Sequence, residues 1–150
     1  MATINPDLTT REALRAWLSE VHGPNGTASL DAKRVVDDTF TDDIEIRYGN
    51  NPPITGKPTA SAMFEMQYGA LDGLTHEIPD FDFIAPDKLY QPALTRWLVK
   101  GDDPEKDWYT VQAMSTFWLR EENSKLKVRK AEIVIDVNAV TERMKAKGLI

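Results

Sequence analysis

The stretch Arg47–Phe64, RYGNNPPITGKPTASAMF, decides how this chain folds. It begins as the end of a strand, with Ile44, Ile46 and Tyr48 alternating against Glu45 and Arg47. It then breaks at Asn50-Asn51-Pro52-Pro53 and reopens as a helix near Pro58. Two consecutive prolines cannot continue a central strand, because neither has an N–H to give the ladder. A strand that stops this abruptly and climbs into a helix forms a lip at the edge of a sheet.

Upstream of the lip the period is helical. In LTTREALRAWLSEVHGP, Thr9 and Glu12 match a capping box, and Ala13, Leu14, Trp17, Leu18 and Val21 form one apolar stripe. Gly23 and Pro24 end that helix. A second, shorter helix is expected with Ser29 as its cap and Ala32, Val35, Val36 and Phe40 on one face. Asn25-Gly26-Thr27 matches a glycosylation sequon, but we read Asn-Gly as a turn with positive φ.

Downstream, a third helix runs from Pro58 to about Leu71 and is closed by Asp72-Gly73. The period then becomes two. Four strands are expected, in LTHEIPDFDFI, KLYQPALTRWLVK, DWYTVQAMSTFWLR and KLKVRKAEIVID, and Asp136 caps a closing helix that ends at Gly148. Helices segregated from a meander predict an α+β class: a cone-shaped, curved antiparallel sheet wrapped around the N-terminal helices. Residues 1–150 read as one domain, with no repeat or linker.

The composition narrows the function. The 150 residues carry a net charge of -6, which argues against a nucleic-acid partner. Lys125, Lys127, Arg129 and Lys130 read as a solvated strand face. The absence of cysteine excludes disulfides and thiolate chemistry. The opening residues MATINPDLTT have neither a basic nor an apolar leader region, and no apolar run has membrane-spanning length, so a cytoplasmic protein with no membrane partner is expected.

The element order, the stretch FTDDIEIRYGNNPPITGK and the ending KAEIVIDVNAV together resemble the nuclear transport factor 2-like superfamily. Within it the chain looks most like the SnoaL-like branch of polyketide cyclases, epoxide hydrolases, ketosteroid isomerases and fungal isomerases. The resemblance spans about Leu8 to Met144 and implies a deep apolar pocket, with the Asn-Asn-Pro-Pro segment at its rim. It usually implies a homodimer through the outer sheet face as well. The activity implied is isomerisation, cyclisation or dehydration of an apolar, oxygenated molecule of polyketide or terpenoid type, without cofactor or metal. The alternative from a different class is a non-catalytic carrier of such a molecule; a partner-binding module with a filled interior is a third.

Alternation places Leu74, His76, Ile78, then Ala93, Thr95, Trp97, then Val111, Ala113, Ser115, Phe117, then Ala131, Ile133 and Ile135 on the inner face. His76 is the sharpest acid–base candidate, because imidazole titrates nearest neutrality; the other reading is a packed ring at a strand end. Tyr48 is expected either to donate to a carbonyl or epoxide oxygen or to pack at the rim. Glu65 is a reserve base whose direction depends on helix rotation, and Glu132 faces inward only if a bulge turns it. His22, beside a helix-ending glycine, reads as structural. Trp17, Phe64, Tyr68, Thr95, Trp97, Ser115 and Phe117 are the expected substrate contacts, around a pocket of roughly 300–1,000 Å³ that admits a bicyclic guest.

Departures from the family's patterns matter as much. Ketosteroid isomerase uses a carboxylate base and a neutral acid, and Tyr48 and Ser115 stand at the corresponding places. The epoxide hydrolase Tyr-x-Asn pair meets Ile46-x-Tyr48, their Arg-x-Asp meets Ala93-x-Thr95, and the cyclase aspartate meets Ile133. These departures count against hydrolysis and leave isomerisation, dehydration, cyclisation or plain binding. Trp108, Met114 and Trp118 oppose the inner set, as do Leu94 and Leu98. A second apolar face of this kind predicts a homodimer interface that includes Met114 and Trp118.

Overall fold

The computed structural model describes residues 3–150. Helix α1, Arg11–Val21, is capped by Thr10, whose hydroxyl accepts from the Ala13 N–H at 3.1 Å. The cap thus falls one residue later than the expected Thr9, which closes a short 3-10 turn at Pro6–Leu8. Helix α2, Ala32–Thr39, is capped by Asp31 rather than Ser29. Ser29 belongs to a second 3-10 turn, Thr27–Ser29, and its hydroxyl donates to the Gly26 carbonyl at 2.6 Å.

Gly26 is needed here for a reason the sequence did not show. Its φ is -109°, so no left-handed turn is involved. A Cβ at this position would lie 2.0 Å from the Val21 carbonyl oxygen at the end of α1. Only glycine lets the chain fold back this tightly, and the fold-back carries Thr27 against the first helix.

Strand β1, Phe40–Tyr48, turns through Gly49–Asn51 and returns as the two-residue β2, Ile54–Thr55, pairing Ile46 with Ile54. The Asn-Asn-Pro-Pro segment is therefore an exposed hairpin loop. It does not form the cavity rim, and only the preceding Tyr48 reaches the interior. Gly56, at φ 86°, starts α3, Lys57–Tyr68, with Pro58 in the first turn where its missing N–H is harmless.

The third helix stops three residues before Leu71, so Asp72 and Gly73 lie inside β3, Leu71–Glu77, rather than ending a helix. A Cβ on Gly73 would lie 2.4 Å from the Trp108 ring, which is why glycine suits this strand interior. Pro79 splits the expected next strand, leaving a short β4, Asp82–Ile84. Three long strands follow: β5, Lys88–Val99; β6, Tyr109–Glu122; and β7, Lys125–Ile135. The sheet order is β2-β1-β7-β6-β5-β3, with β4 added on β5. All pairs are antiparallel except β1 with β7, which run parallel.

Helix α4, Asn138–Ala146, has Val137 rather than the expected Asp136 as its N-cap, although the Asp136 carboxylate still accepts from the Asn138 N–H at 3.0 Å. The helix is tied to the β5–β6 turn by Asp102, whose carboxylate takes Arg143 at 2.6 Å and Lys147 at 2.8 Å.

The core lies between the concave sheet and the first three helices. Leu14 and Leu18 of α1, Val36 of α2 and Ile44 and Ile46 of β1 are all buried there. The basic cluster is not simply solvated. Lys127 donates to the Asp37 and Asp38 carbonyls at the end of α2, where a cation suits the helix dipole, and Arg129 pairs with Asp87 at 2.6 Å.

Candidate functional site

A partly open cavity lies between the concave sheet face and α1–α3. It exists because Ala93, Ala113 and Ala131 occupy inward positions on three neighbouring strands, where larger residues would close the space. Phe64, Trp97 and Phe117 complete its apolar wall. Its volume is about 80 Å³. At about 10–15 Å³ for each water-sized occupant, that holds roughly five to eight heavy atoms. The expected bicyclic guest does not fit, because the aromatic side chains pack inward; Phe64, for one, stacks on Phe40 at 5.9 Å.

Two polar groups of the cavity converge at the α1–β3 side. His22, the C-cap of α1, stacks on His76 of β3 with ring centroids 4.3 Å apart and planes 18° from parallel. The Thr27 hydroxyl sits between them, 3.4 Å from Nδ1 of His22 and 3.3 Å from Nδ1 of His76. Burial pushes the His76 pKa down to about 4. Burial also drives His22 well below the usual imidazole range, and a charge on His76 would lower it further. Both rings are therefore neutral at pH 7.

That neutrality, with the single proton of Thr27, fixes the tautomers. The hydroxyl donates to one Nδ1 and accepts from the other. Gln91 of β5 lies beside His22 and offers its side-chain carbonyl Oε1 to that ring as an acceptor. A neutral His22 meets that acceptor favourably only with its proton on Nε2. Thr27 then donates to His22, His76 donates from Nδ1 to Thr27, and Nε2 of His76 carries the free lone pair.

The opposite side is phenolic. Tyr48, at the end of β1, accepts a hydrogen bond from Nε2 of Gln67 at 3.0 Å, which leaves its own O–H free to donate. Burial raises its pKa to about 12, so it stays protonated. Tyr68 lies beside it, and burial, with the neighbouring Tyr48, pushes its phenol up too. Tyr48 and Gln91 belong to one row of the sheet, running through Ile133 and Ser115.

Most of the expected inner set faces the cavity. Thr95 does so with its hydroxyl already engaged, donating to the Val111 carbonyl and accepting from Trp97 Nε1, both at 2.7 Å. Ser115 opens on the cavity from the neighbouring strand. Five expected residues do not reach it: Ile78, which lines an outer groove beside α1, and Val111, Trp17, Glu65 and Glu132. Trp17 packs edge-on behind Phe117 at 6.3 Å and lines an outer groove. Glu65 is exposed, because Phe64 and Tyr68 set the buried face of α3. Glu132 lies opposite the inward Ala131 and Ile133, 3.8 Å from Lys130. The β6–β7 register shift falls at Trp118/Leu119, too far along the strand to turn Glu132 inward.

Three residues were missed. Gln91 shares the parity of Ala93 and Thr95, so extending that alternation by one step finds it. His22 sits four residues after Leu18 on the apolar stripe of α1. Thr27 had no local signal, since the Gly26 fold-back alone brings it there.

No family model matches the chain, and no curated protein does. Its shape, however, is shared with solved structures. A protein assigned as a SnoaL-like polyketide cyclase from a Jannaschia species superposes with TM-score 0.63 at 15% identity, covering 88% of this chain and 91% of the other. One assigned as a scytalone dehydratase from Novosphingobium aromaticivorans gives 0.66 at 14%, covering 87% and 86%. A Catenulispora acidiphila protein with a ketosteroid isomerase-like fold gives 0.64 at 16%, covering 91% and 95%. The chain has the nuclear transport factor 2-like fold. At these identities the likeness shows the fold alone. That fold supplies the concave sheet and the cavity beneath it; the side chains decide the chemistry.

Proposed function

We propose that this chain is an acid–base enzyme of SnoaL-like type, an isomerase or dehydratase acting on a small, mostly apolar, oxygenated molecule. The observation that supports it is the His22–Thr27–His76 cluster beside a cavity that Tyr48 also lines, with Nε2 of His76 assigned as the unprotonated nitrogen. Nε2 of His76 takes a proton from carbon next to a substrate carbonyl. The electron pair moves onto the carbonyl oxygen, which accepts the Tyr48 hydrogen bond. The imidazolium then returns the proton to another carbon, or to a departing hydroxyl. Among the described residues no Asp or Glu lines the cavity, which favours this chemistry over carboxylate-driven hydrolysis.

The cavity volume favours a guest the size of a single ring. The Catenulispora acidiphila protein of the same fold was solved in complex with trimethylamine, a molecule of few atoms.

The reading is tested by deuterium exchange. Cyclopentanone and cyclohexanone are incubated with the protein in D2O, and loss of the α-proton signals is followed by NMR. Wild type should accelerate exchange, and His76→Gln should slow it by roughly two to four decades. A protein that holds these ketones without exchanging their protons is a carrier, and the enzyme reading fails.

A further inference from the structure

A second space reaches the histidine pair from outside. An open groove of about 250 Å³ runs between α1 and β3, with Arg15, Ser19 and Gly23 on one side and Ile78 on the other. His22 and His76 border both this groove and the cavity, and they alone do so. Two other outer grooves touch the cavity wall. One shares Val21, Val35 and Thr39 with it, and the other shares Ala93 and Ala113. Neither of those boundaries holds a histidine, carboxylate or amine. Among the described residues, the stacked imidazoles are therefore the one ionisable partition between cavity and surface. Neither histidine is fully buried, as a partition of this kind requires.

The cavity holds roughly five to eight heavy atoms, so a guest of single-ring size leaves no room for water beside it. A base confined to that space could only return the proton it had taken. The ring pair opens a way out. An imidazolium at His76 gives its Nδ1 proton to the Thr27 oxygen while the Thr27 proton passes to Nδ1 of His22, across contacts of 3.3 and 3.4 Å. Charge moves, and no atom is gained or lost. His22 receives it as the C-cap of α1, where the carbonyl end of a helix favours a cation. Arg15, the fixed cation of the groove, is engaged by the Ile78 carbonyl and the Phe81 ring.

We infer that the His22–Thr27–His76 cluster is a proton port, through which a proton taken from the guest is exchanged for one from water in the α1–β3 groove while the guest stays in the cavity. This deepens the function proposed above and rests on it. Either ring loses a proton to groove water and regains one from it, so the exchange balances.

Cyclopent-3-enone tests the port, because its conjugation to cyclopent-2-enone moves one proton from C2 to C4. Run with wild type in D2O, the first turnovers should place deuterium at C4 in most of the product, read by NMR. Ser19→Trp, which fills the groove from α1, should lower that deuterium content at least about threefold and hold the isomerisation rate within about twofold. Ile78→Trp closes the groove from β3 and should do the same. A wild type that hands the original proton back in nearly all of the product overturns the port, and this arm needs no variant to fold. Deuterium content unchanged in both filled-groove variants overturns it too. If wild type does not isomerise the enone, the enzyme reading fails, and the port is judged instead on water exchange of the His76 Nδ1–H, followed by NMR with cyclopentanone bound. That exchange should be at least about tenfold slower in Ser19→Trp than in wild type, and equal rates overturn the port. If cyclopentanone does not bind, the ligand-binding cavity and the port both fail.

Discussion

His22 and His76 stack face to face at 4.3 Å although they lie 54 positions apart in the chain, one at a helix end and the other on a strand. Two imidazoles at that distance cannot both be charged, and burial disfavours even one charge. This neutrality makes the pair a base at pH 7 and makes the protein sensitive to acid.

Stability should fall on mild acidification. An unfolded chain protonates each histidine near 6.5, whereas folding holds His76 neutral down to about 4. For a lowered histidine pKa, the contribution is complete above pH 6.5 and is lost as the pH drops toward 4. For His76 alone the loss is about 2–3 kcal/mol between pH 7 and 4.5. Asp102 keeps its charge across this window, since Arg143 and Lys147 hold its carboxyl well below the usual range. Thermal melts at pH 7 and 4.5 should show a large drop for wild type and a smaller one for His76→Gln. Identical drops for the two proteins would show that His76 is not held neutral.

Removing the Tyr48 hydroxyl should slow the exchange of ketone protons while keeping the cavity shape. Tyr48→Phe is expected to lower the maximal rate by about 10²-fold, as loss of an oxyanion donor does. Gln67→Met, which only removes the bond that orients the phenol, should cost less. Should Gln67→Met prove the more damaging of the two, Tyr48 is not the group that meets the carbonyl.

The outer sheet face should close against a second copy of the chain. Met114 is 45% exposed and Val134 is 71% exposed, paired across β6 and β7. Trp118 stands two steps from Thr116 on the same face, between the Lys88 and Lys130 ammonium groups at 5.5 and 4.8 Å. Trp108 needs no such cover, because it lies over Gly73. Light scattering at micromolar concentration should give a dimer for wild type and a monomer for Val134→Glu. A wild-type monomer rules the interface out.

Element order was legible because each element carries its own local signal: the stripe of α1, the proline at the start of α3, and the alternation of β5, β6 and β7. The inner faces of those strands followed, since parity is fixed once one residue is placed. The His22 pairing could not be read, because it depends on Gly26 packing against the Val21 carbonyl and then returning Thr27 to both rings. Glu65 was misjudged as a reserve base because one residue on a helix turns the side chain by about 100°, and Phe64 takes the buried position. The cavity volume was not in the sequence either. Parity names the residues that face the cavity but not how far Phe64, Trp97 and Phe117 lean into it.

The neutral, tautomer-locked histidine pair is tested most directly by 15N NMR of the ring nitrogens across pH 4–8, in wild type and in Thr27→Val. In wild type both rings should be neutral at pH 7, His22 protonated at Nε2 and His76 at Nδ1, with His76 taking its second proton only near pH 4. Thr27→Val should mix the tautomers, and Thr27→Ser should restore them. Two rings that titrate together near pH 6.5 with mixed tautomers in wild type would contradict the base assigned to His76.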